Sequence, residues 1–417
     1  MRKYEKYKDS GVEWIGEVPE HWKICLFKRI ITLNNGGDYK NIIANENGYP
    51  VIGSGGQFAQ ASKYIYDGEA ILLGRKGTID NPLYIKGKFW VVDTMFYGIP
   101  KKNTCAKFLY YQALTIPFER YSTSTALPSM TQTDLNNNPI SIPPLPEQKS
   151  IASYLDSKVG EIDNMIEKTE KKIELYEELK KSIITHAVTK GLNPNVKMKD
   201  SGVDWIGKIP ENWEYLPLKR YGEMNKGITF TKSDLVDIGN PVISYGQIHS
   251  KLNNGIHVSS NLIRYIPDKF IINENKAKVH FGDFIFADTS EDLEGCGNCI
   301  YIDSDISLYA GYHSIILRTN GKDSKYFAYL FKTDIWRNQI RSMVSGVKVY
   351  SITQSILSFC SIIVPPLPEQ ESIVSYLDSK TSAIDSQISI AHKRIDLLKE
   401  LKTSLITNVV TGKIKVC

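Results

Sequence analysis

Lys8-Asp9-Ser10-Gly11-Val12-Glu13-Trp14-Ile15-Gly16 returns almost unchanged, 191 residues further on, as Lys199-Asp200-Ser201-Gly202-Val203-Asp204-Trp205-Ile206-Gly207. The match continues at that spacing: Pro19-Glu20-His21-Trp22 becomes Pro210-Glu211-Asn212-Trp213, and Lys28-Arg29 becomes Lys219-Arg220. A second block, Pro143-Pro144-Leu145-Pro146-Glu147-Gln148 with Ser153-Tyr154-Leu155-Asp156-Ser157-Lys158, returns 222 residues on as Pro365-Pro366-Leu367-Pro368-Glu369-Gln370 with Ser375-Tyr376-Leu377-Asp378-Ser379-Lys380. An internal repeat determines the architecture. The growth in spacing from 191 to 222 leaves 31 more residues between the blocks of the second copy, where the copies agree mainly in hydrophobic pattern. One frame is written twice around two different insertions.

After each proline-rich run the apolar positions step by four and three: Leu155, Val159, Ile162, Ile166, Thr169, Ile173, Tyr176, and then Leu377, Thr381, Ile384, Ile388, Ala391, Ile395, Leu398. That spacing predicts a long helix with one narrow stripe suited to knobs-into-holes packing. Pro146 and Pro368 suit a first turn, Glu147 and Glu369 favour the positive end of the dipole, and Gly191 with Pro194 stops the first helix. From Pro146 to Thr189 such a helix spans on the order of 65 Å, more than a small core can cover, so it reads as a spacer. Each stripe needs a mate. Antiparallel pairing of the two helices brings the chain end back beside its start and gives an internal pseudo-two-fold, circularly permuted repeat.

The insertions, about 22–143 and 213–365, read as α+β. Short strands are expected at Ala70 to Leu73, Trp90 to Val92, Phe284 to Ala287 and Ser314 to Leu317, with aromatic-rich helical stretches over Lys107 to Tyr121 and Lys325 to Ile340. Phe108, Tyr111, Tyr326, Phe327 and Leu330 are assigned to packing. The expected division is 1–145 (repeat block and first insertion), 146–191 (first spacer helix), 192–367 (second block and insertion) and 368–417 (second spacer helix).

Composition narrows the function classes. The 417 residues are 42% hydrophobic and 23% charged, which excludes wholesale disorder and fibre repeats. A net charge of +5 permits a polyanionic partner without proving one. No apolar run approaches the roughly 18 residues of a membrane span, and six scattered cysteines suit a reducing compartment, so a cytoplasmic location without membrane partners is expected. Cys296-Gly297-Asn298-Cys299 lacks a second ligand pair nearby, and no metal is expected there. Catalytic motifs are incomplete. Asn81-Pro82-Leu83-Tyr84 lacks the second proline of an amino-methyltransferase loop, and Gly53-Ser54-Gly55-Gly56 is not a dinucleotide turn. Pro267-Asp268 followed by Glu274-Asn275-Lys276 is too closely spaced for a nuclease hairpin, and no phosphate-binding Walker string occurs.

The twin D-S-G-V-x-W-I-G blocks, the twin P-P-L-P-E-Q runs opening heptad helices, and the two dissimilar insertions together resemble the specificity subunit of type I restriction-modification enzymes. The resemblance spans essentially the entire chain. It implies a non-catalytic reader of double-stranded DNA, with two target-recognition domains set apart by an antiparallel helical pair; the repeated frame with its dissimilar insertions predicts a bipartite, asymmetric target. The resemblance also implies partners: two methyltransferase subunits and endonuclease-translocase subunits, which supply S-adenosylmethionine, Mg²⁺ and ATP, with no cofactor in this chain. The rival is a coiled-coil scaffold whose insertions bind protein.

Base edges need donors and acceptors in the major groove, and phosphates need cations, hydroxyls and backbone N–H groups. The first insertion offers Gly74-Arg75-Lys76-Gly77-Thr78 at a strand end, and a polar segment with Thr123, Ser124, Thr125, Ser129, Thr131 and Gln132. Two glycines beside an Arg-Lys pair let backbone approach a phosphate, and a solvated hairpin tip has the same composition. The second insertion offers Thr289 and Ser290 after Asp288, then Lys348, Tyr350, Ser351, Thr353 and Gln354, with Tyr245, Gln247 and Lys251 as further candidates.

Overall fold

The computed structural model describes residues 2–44, 47–121, 128–203, 206–319, 325–346 and 348–416. Among these the α-helices are, in chain order, α1 (Ala106–Ala113), α2 (Gln132–Asn137), α3 (Leu145–Lys190), α4 (Tyr245–Ile248), α5 (Lys325–Phe331), α6 (Asp334–Met343), α7 (Gln354–Phe359) and α8 (Leu367–Val410). Two compact units are present: Met1–Lys171 with Ala391–Cys417, and Lys172–Ile390.

The heptad positions face inward. Leu155, Val159, Ile162, Thr169 and Ile173 on α3, and Leu377, Thr381, Ile384, Ala391 and Ile395 on α8, are buried. The two stripe threonines return their hydroxyls to the carbonyl one turn back, Thr169 to Met165 at 2.6 Å and Thr381 to Leu377 at 2.7 Å, which removes the cost of burying them. In the first unit the start of α3 (Leu155, Val159, Ile162) shares a core with the end of α8 (Leu405, Ile406, Val409). In the second unit the end of α3 (Ile184, Val188) meets the start of α8 (Ile373, Leu377). The helices are therefore antiparallel in both. Lys402 Nζ lies 2.7 Å from Asp163 Oδ1, and Lys180 Nζ lies 2.5 Å from Asp385 Oδ1. Each pair is the other with the repeats exchanged, so each unit carries the same ion pair between its two helices.

The repeated blocks are structural. Asp9 Oδ1 accepts from Gly11 N, and Asp200 Oδ1 from Gly202 N, each at 2.9 Å, making the same Asx turn twice. Gly16 (φ +68°) and Gly207 (φ +63°) take a left-handed conformation that a side chain would strain. Trp22 and Trp213 are fully buried and donate Nε1–H to Glu147 (3.1 Å) and Glu369 (2.9 Å) in the first turn of α3 and α8. The P-E-x-W motif thus docks on the P-P-L-P-E-Q motif. Gly412, after α8, packs on Pro19 so closely that a Cβ would lie 2.3 Å from its Cδ, and Lys415 N donates to Arg2 O. The chain end lies beside the chain start.

The insertions differ. The first is a six-stranded sheet in the order Ile31–Asn35, Met95–Pro100, Tyr66–Gly74, Leu83–Val91, Tyr49–Gly53, Gly56–Ala61. The second has two four-stranded sheets, one with Glu223–Lys226, Ser314–Arg318, Phe284–Ala287 and Cys299–Tyr301, the other with Arg264–Ile266, Asn240–Ile243, Leu308–Ala310 and Lys278–Val279. Each insertion is closed at its base by the same antiparallel pair, Lys23–Leu26 with Pro139–Ile142 and Glu214–Pro217 with Ser361–Val364. The aromatic helices pack as read: Phe108, Tyr111, Tyr326, Phe327 and Leu330 are buried. They are shorter than their composition suggests, because Pro117 follows α1 and the Thr333 cap separates α5 from α6.

One carboxylate on each long helix clamps its aromatic helix. Asp156 receives Lys107 Nζ at 2.5 Å and the Tyr111 hydroxyl at 2.9 Å. Asp378 receives Lys325 Nζ and the Tyr329 hydroxyl, both at 2.6 Å. Burial first, and then the hydrogen bond to the carboxylate, raise the pKa of both phenols, which stay protonated donors.

Candidate nucleic-acid interface

In the first insertion three stretches far apart in sequence meet at the end of Tyr66–Gly74. Arg75 N and Lys76 N both donate to Thr94 O, at 2.9 and 3.2 Å. Met130 N donates to Arg75 O at 3.0 Å, Gly77 N to Pro128 O at 2.9 Å, and Lys76 pairs with Ser129 across a β-bridge. The turn is tight. A Cβ on Gly74 would lie 2.2 Å from Thr78 O, so only glycine fits. Lys76 and Thr78 are exposed, as are Asp93 and Thr94. Arg75 is half-buried, its guanidinium 5.9 Å from the Phe96 ring centre and its Nη1 donating to Asp93 O at 3.3 Å. This holds the guanidinium in one place and leaves further N–H groups for a ligand.

The second insertion repeats the junction with other side chains. Asp288 N donates to His313 O (3.1 Å) and Ile352 N donates to Asp288 O (2.7 Å), the counterparts of the bonds at Arg75. Thr289 and Ser290 pair with Ser351 and Tyr350. Asp288 therefore stands where Arg75 stands, Thr289 at Lys76, and Tyr312-His313 at Asp93-Thr94. Asp288 Oδ1 accepts from Thr289 Oγ1 at 2.7 Å and lies 3.2 Å from His313 Nδ1. His313 adopts φ +53°, a costly conformation for a non-glycine residue that aims it over the junction. His249 Nε2 contacts Thr289 O at 2.8 Å, and the Tyr245 ring lies 5.6 Å from Tyr312 and 5.5 Å from His313.

The remaining candidates separate by role. Thr123, Ser124 and Thr125 lie outside the described residues. Thr131 and Thr353 cap α2 and α7, accepting from Asp134 N (3.1 Å) and Ile356 N (3.2 Å). Both belong to a Ser-x-Thr-Gln string repeated 222 residues apart, so the frame accounts for them. Gln132 donates to Leu33 O at 2.7 Å, Gln247 Oε1 accepts from Ser244 N at 3.0 Å, and Ser290 is buried with its hydroxyl on Asp292 O. Gln354 starts α7 and is half-buried; Lys348 and Lys251 are exposed. Asp93, Thr94, Tyr312 and His313 escaped sequence reasoning. Their signal is a polar or aromatic pair just before a strand that lines up with the first.

Among the described residues no cluster of His, Cys, Asp and Glu is arranged to hold a metal ion. Cys296 and Cys299 are buried free thiols on a turn whose Gly297 has φ +91°, and burial pushes the Cys299 thiol up to about 12. Gly53–Gly56 is the bend of a hairpin between neighbouring strands. Among the described residues no helix is long and apolar enough to cross a membrane.

The family model described as the type I restriction modification DNA specificity domain matches residues 19–176 and 210–400. The chain is 25% identical over 383 residues to the type I restriction enzyme MjaVIII specificity subunit of Methanocaldococcus jannaschii, covering 90% of this chain and 81% of that protein. It is 24% identical over 213 residues to the EcoKI specificity subunit of Escherichia coli K12, covering 50% of this chain and 44% of that protein. In fold it matches a chain from a structure of the type I restriction-modification system (TM-score 0.69, 15% identity, 95% of this chain and 99% of that one). It also matches the HsdS subunit of Thermoanaerobacter tengcongensis (TM-score 0.51, 15% identity, 95% and 98%).

Proposed function

The chain belongs to the type I restriction-modification DNA specificity family, and from that premise we propose that its two insertions each read one half of a bipartite, asymmetric DNA target. One observation carries this reading. The two insertions hold the same three-stretch junction on a repeated frame, with Arg75, Lys76, Asp93 and Thr94 in one and Asp288, Thr289, Tyr312 and His313 in the other. Equal backbones with unlike side chains present different hydrogen-bonding patterns to a groove. A guanidinium such as that of Arg75 suits guanine O6 and N7, and a carboxylate such as that of Asp288 accepts from cytosine N4. Lys76 and Lys348 are suited to phosphates, which fix register without reading sequence.

In this reading the long helices set the spacing between half-sites, and the chain itself neither methylates nor cuts. It places DNA for two methyltransferase subunits using S-adenosylmethionine, which reach and flip the target base, and for endonuclease-translocase subunits using ATP and Mg²⁺. The test is Asp288→Asn with His313→Asn in the chain assembled with its methyltransferase subunits. Base preference should change in one half-site and stay intact in the other. A change in both, or in neither, overturns the assignment.

A further inference from the structure

The second unit holds a cavity of about 880 Å³ that is not lined by the junction residues Asp288, Thr289, Tyr312 and His313. α3 lines it with Lys180, Lys181 and Ile184, and Lys332, Arg337 and Arg341 face them from the end of α5 and from α6. Its charges sort by depth. The carboxylates Glu177, Glu294, Asp334 and Asp385 are all exposed at the rim, whereas Lys180, Lys332, Arg337 and Arg341 are withdrawn from solvent. Solvent screens the outer charges far more than the inner ones, so the floor is positive.

Two of the inner cations are matched, Lys180 by Asp385 at 2.5 Å and Arg341 by Asp334 at 2.8 Å. Among the described residues Lys332 and Arg337 form no close ion pair, and Asp385 and Asp334 act on them only from the exposed rim. Arg337 spends its Nε on Phe331 O (2.9 Å), and Arg341 Nε is buried without an acceptor. The Lys332 stem is held near Gly255, where an added Cβ would lie 3.4 Å from its Cγ. Burial, and then Lys180 and Arg337, lower the Lys332 ammonium to about 8. Withdrawn cations without ion pairs lining one space are costly unless an anion occupies it.

We propose that this cavity binds a phosphate group, carried either by a free phosphate or phosphate ester or by a polynucleotide backbone. The Lys332 ammonium and the remaining guanidinium N–H groups of Arg337 offer charge-assisted donors suited to a phosphate oxyanion. The volume lies within the roughly 300–1,000 Å³ of small-molecule sites, so the molecule bearing the phosphate can be larger than the bare ion.

The test uses the full chain. Lys332, with its lowered pKa, should be acylated readily by an amine-reactive reagent, and mass spectrometry reads modification at Lys332 against Lys180. Inorganic phosphate should protect Lys332 saturably beyond sodium chloride of equal ionic strength, and should raise the unfolding temperature. Lys332→Met removes an unmatched charge and keeps the stem, so it should fold. It should bind phosphate about tenfold more weakly, the loss of one charge-assisted contact. Protection by a short DNA duplex but not by inorganic phosphate assigns the site to a polynucleotide backbone. No protection by either, or a phosphate effect unchanged in both Lys332→Met and Arg337→Gln, overturns the proposal, as does protection only by the methyltransferase subunits.

Discussion

Removing the Asp378 carboxylate tests how an insertion is fixed to the frame. Asp378→Ala deletes the acceptor shared by Lys325 and Tyr329. The Lys325 pair is partly exposed, with side chains 33% and 40% accessible, so it contributes about 0.2–1 kcal/mol after screening. Tyr329 is 1% exposed, and losing a charged acceptor for its buried hydroxyl costs about 1.5–3 kcal/mol. A total of about 2–4 kcal/mol is expected. That lowers the unfolding temperature by roughly 4–16 °C for a unit of this size. Urea unfolding followed by circular dichroism gives the free energy, and an unchanged m-value shows that the unfolded state is not responsible. Asp378→Ala combined with Tyr329→Phe should show a coupling of about 1 kcal/mol. Asp156→Ala should cost somewhat less, because Lys107 is more exposed at 42% and the Tyr111 bond is longer at 2.9 Å. A loss below about 0.5 kcal/mol for Asp378→Ala, or strict additivity with Tyr329→Phe, would refute the clamp.

Further outcomes follow from the same geometry. Arg75→Ala should cost about 1–3 kcal/mol of DNA binding and relax one base position, whereas Lys76→Ala should weaken all sequences alike and lower the salt slope by about one; competition titrations at two salt concentrations separate them. Thr353→Ala should cost about 1 kcal/mol of stability, read by urea unfolding, with base preference unchanged, since the hydroxyl caps α7. Lys332 binds its proton less tightly folded (about 8) than unfolded (about 10.4), so the unfolded state holds more protons between those values. Stability should therefore rise with pH from about 8 to about 10, and Lys332→Met should remove that increment and be the more stable protein below about pH 8.

The frame was legible in the sequence because it is written twice and its heptad stripe is a local pattern; the Trp22–Glu147 and Trp213–Glu369 contacts that join its blocks span more than a hundred residues and left no local signal. The order of the repeated blocks along the chain also implied the antiparallel pairing, and Lys180–Asp385 with Lys402–Asp163 carries it out. The junctions were harder to see. Arg75, Thr94 and Met130 meet through backbone hydrogen bonds across long sequence separations, and such pairing leaves no periodicity. Thr131 and Thr353 look like reading groups only until the repeat at spacing 222 is extended back to Ser129 and Ser351, where it shows two helix caps. His313 carried no composition signal. Its role rests on a left-handed backbone that only the fold reveals.

Two unlike readers on one repeated frame should recognise two unlike DNA half-sites. Selection of bound duplexes from a randomised library, by the chain assembled with its methyltransferase subunits, tests it most directly. Two different short sequences should be enriched at a fixed separation, with unselected bases between them and retention falling steeply with salt. A palindromic or single continuous sequence, or no enrichment at any salt concentration, would contradict it.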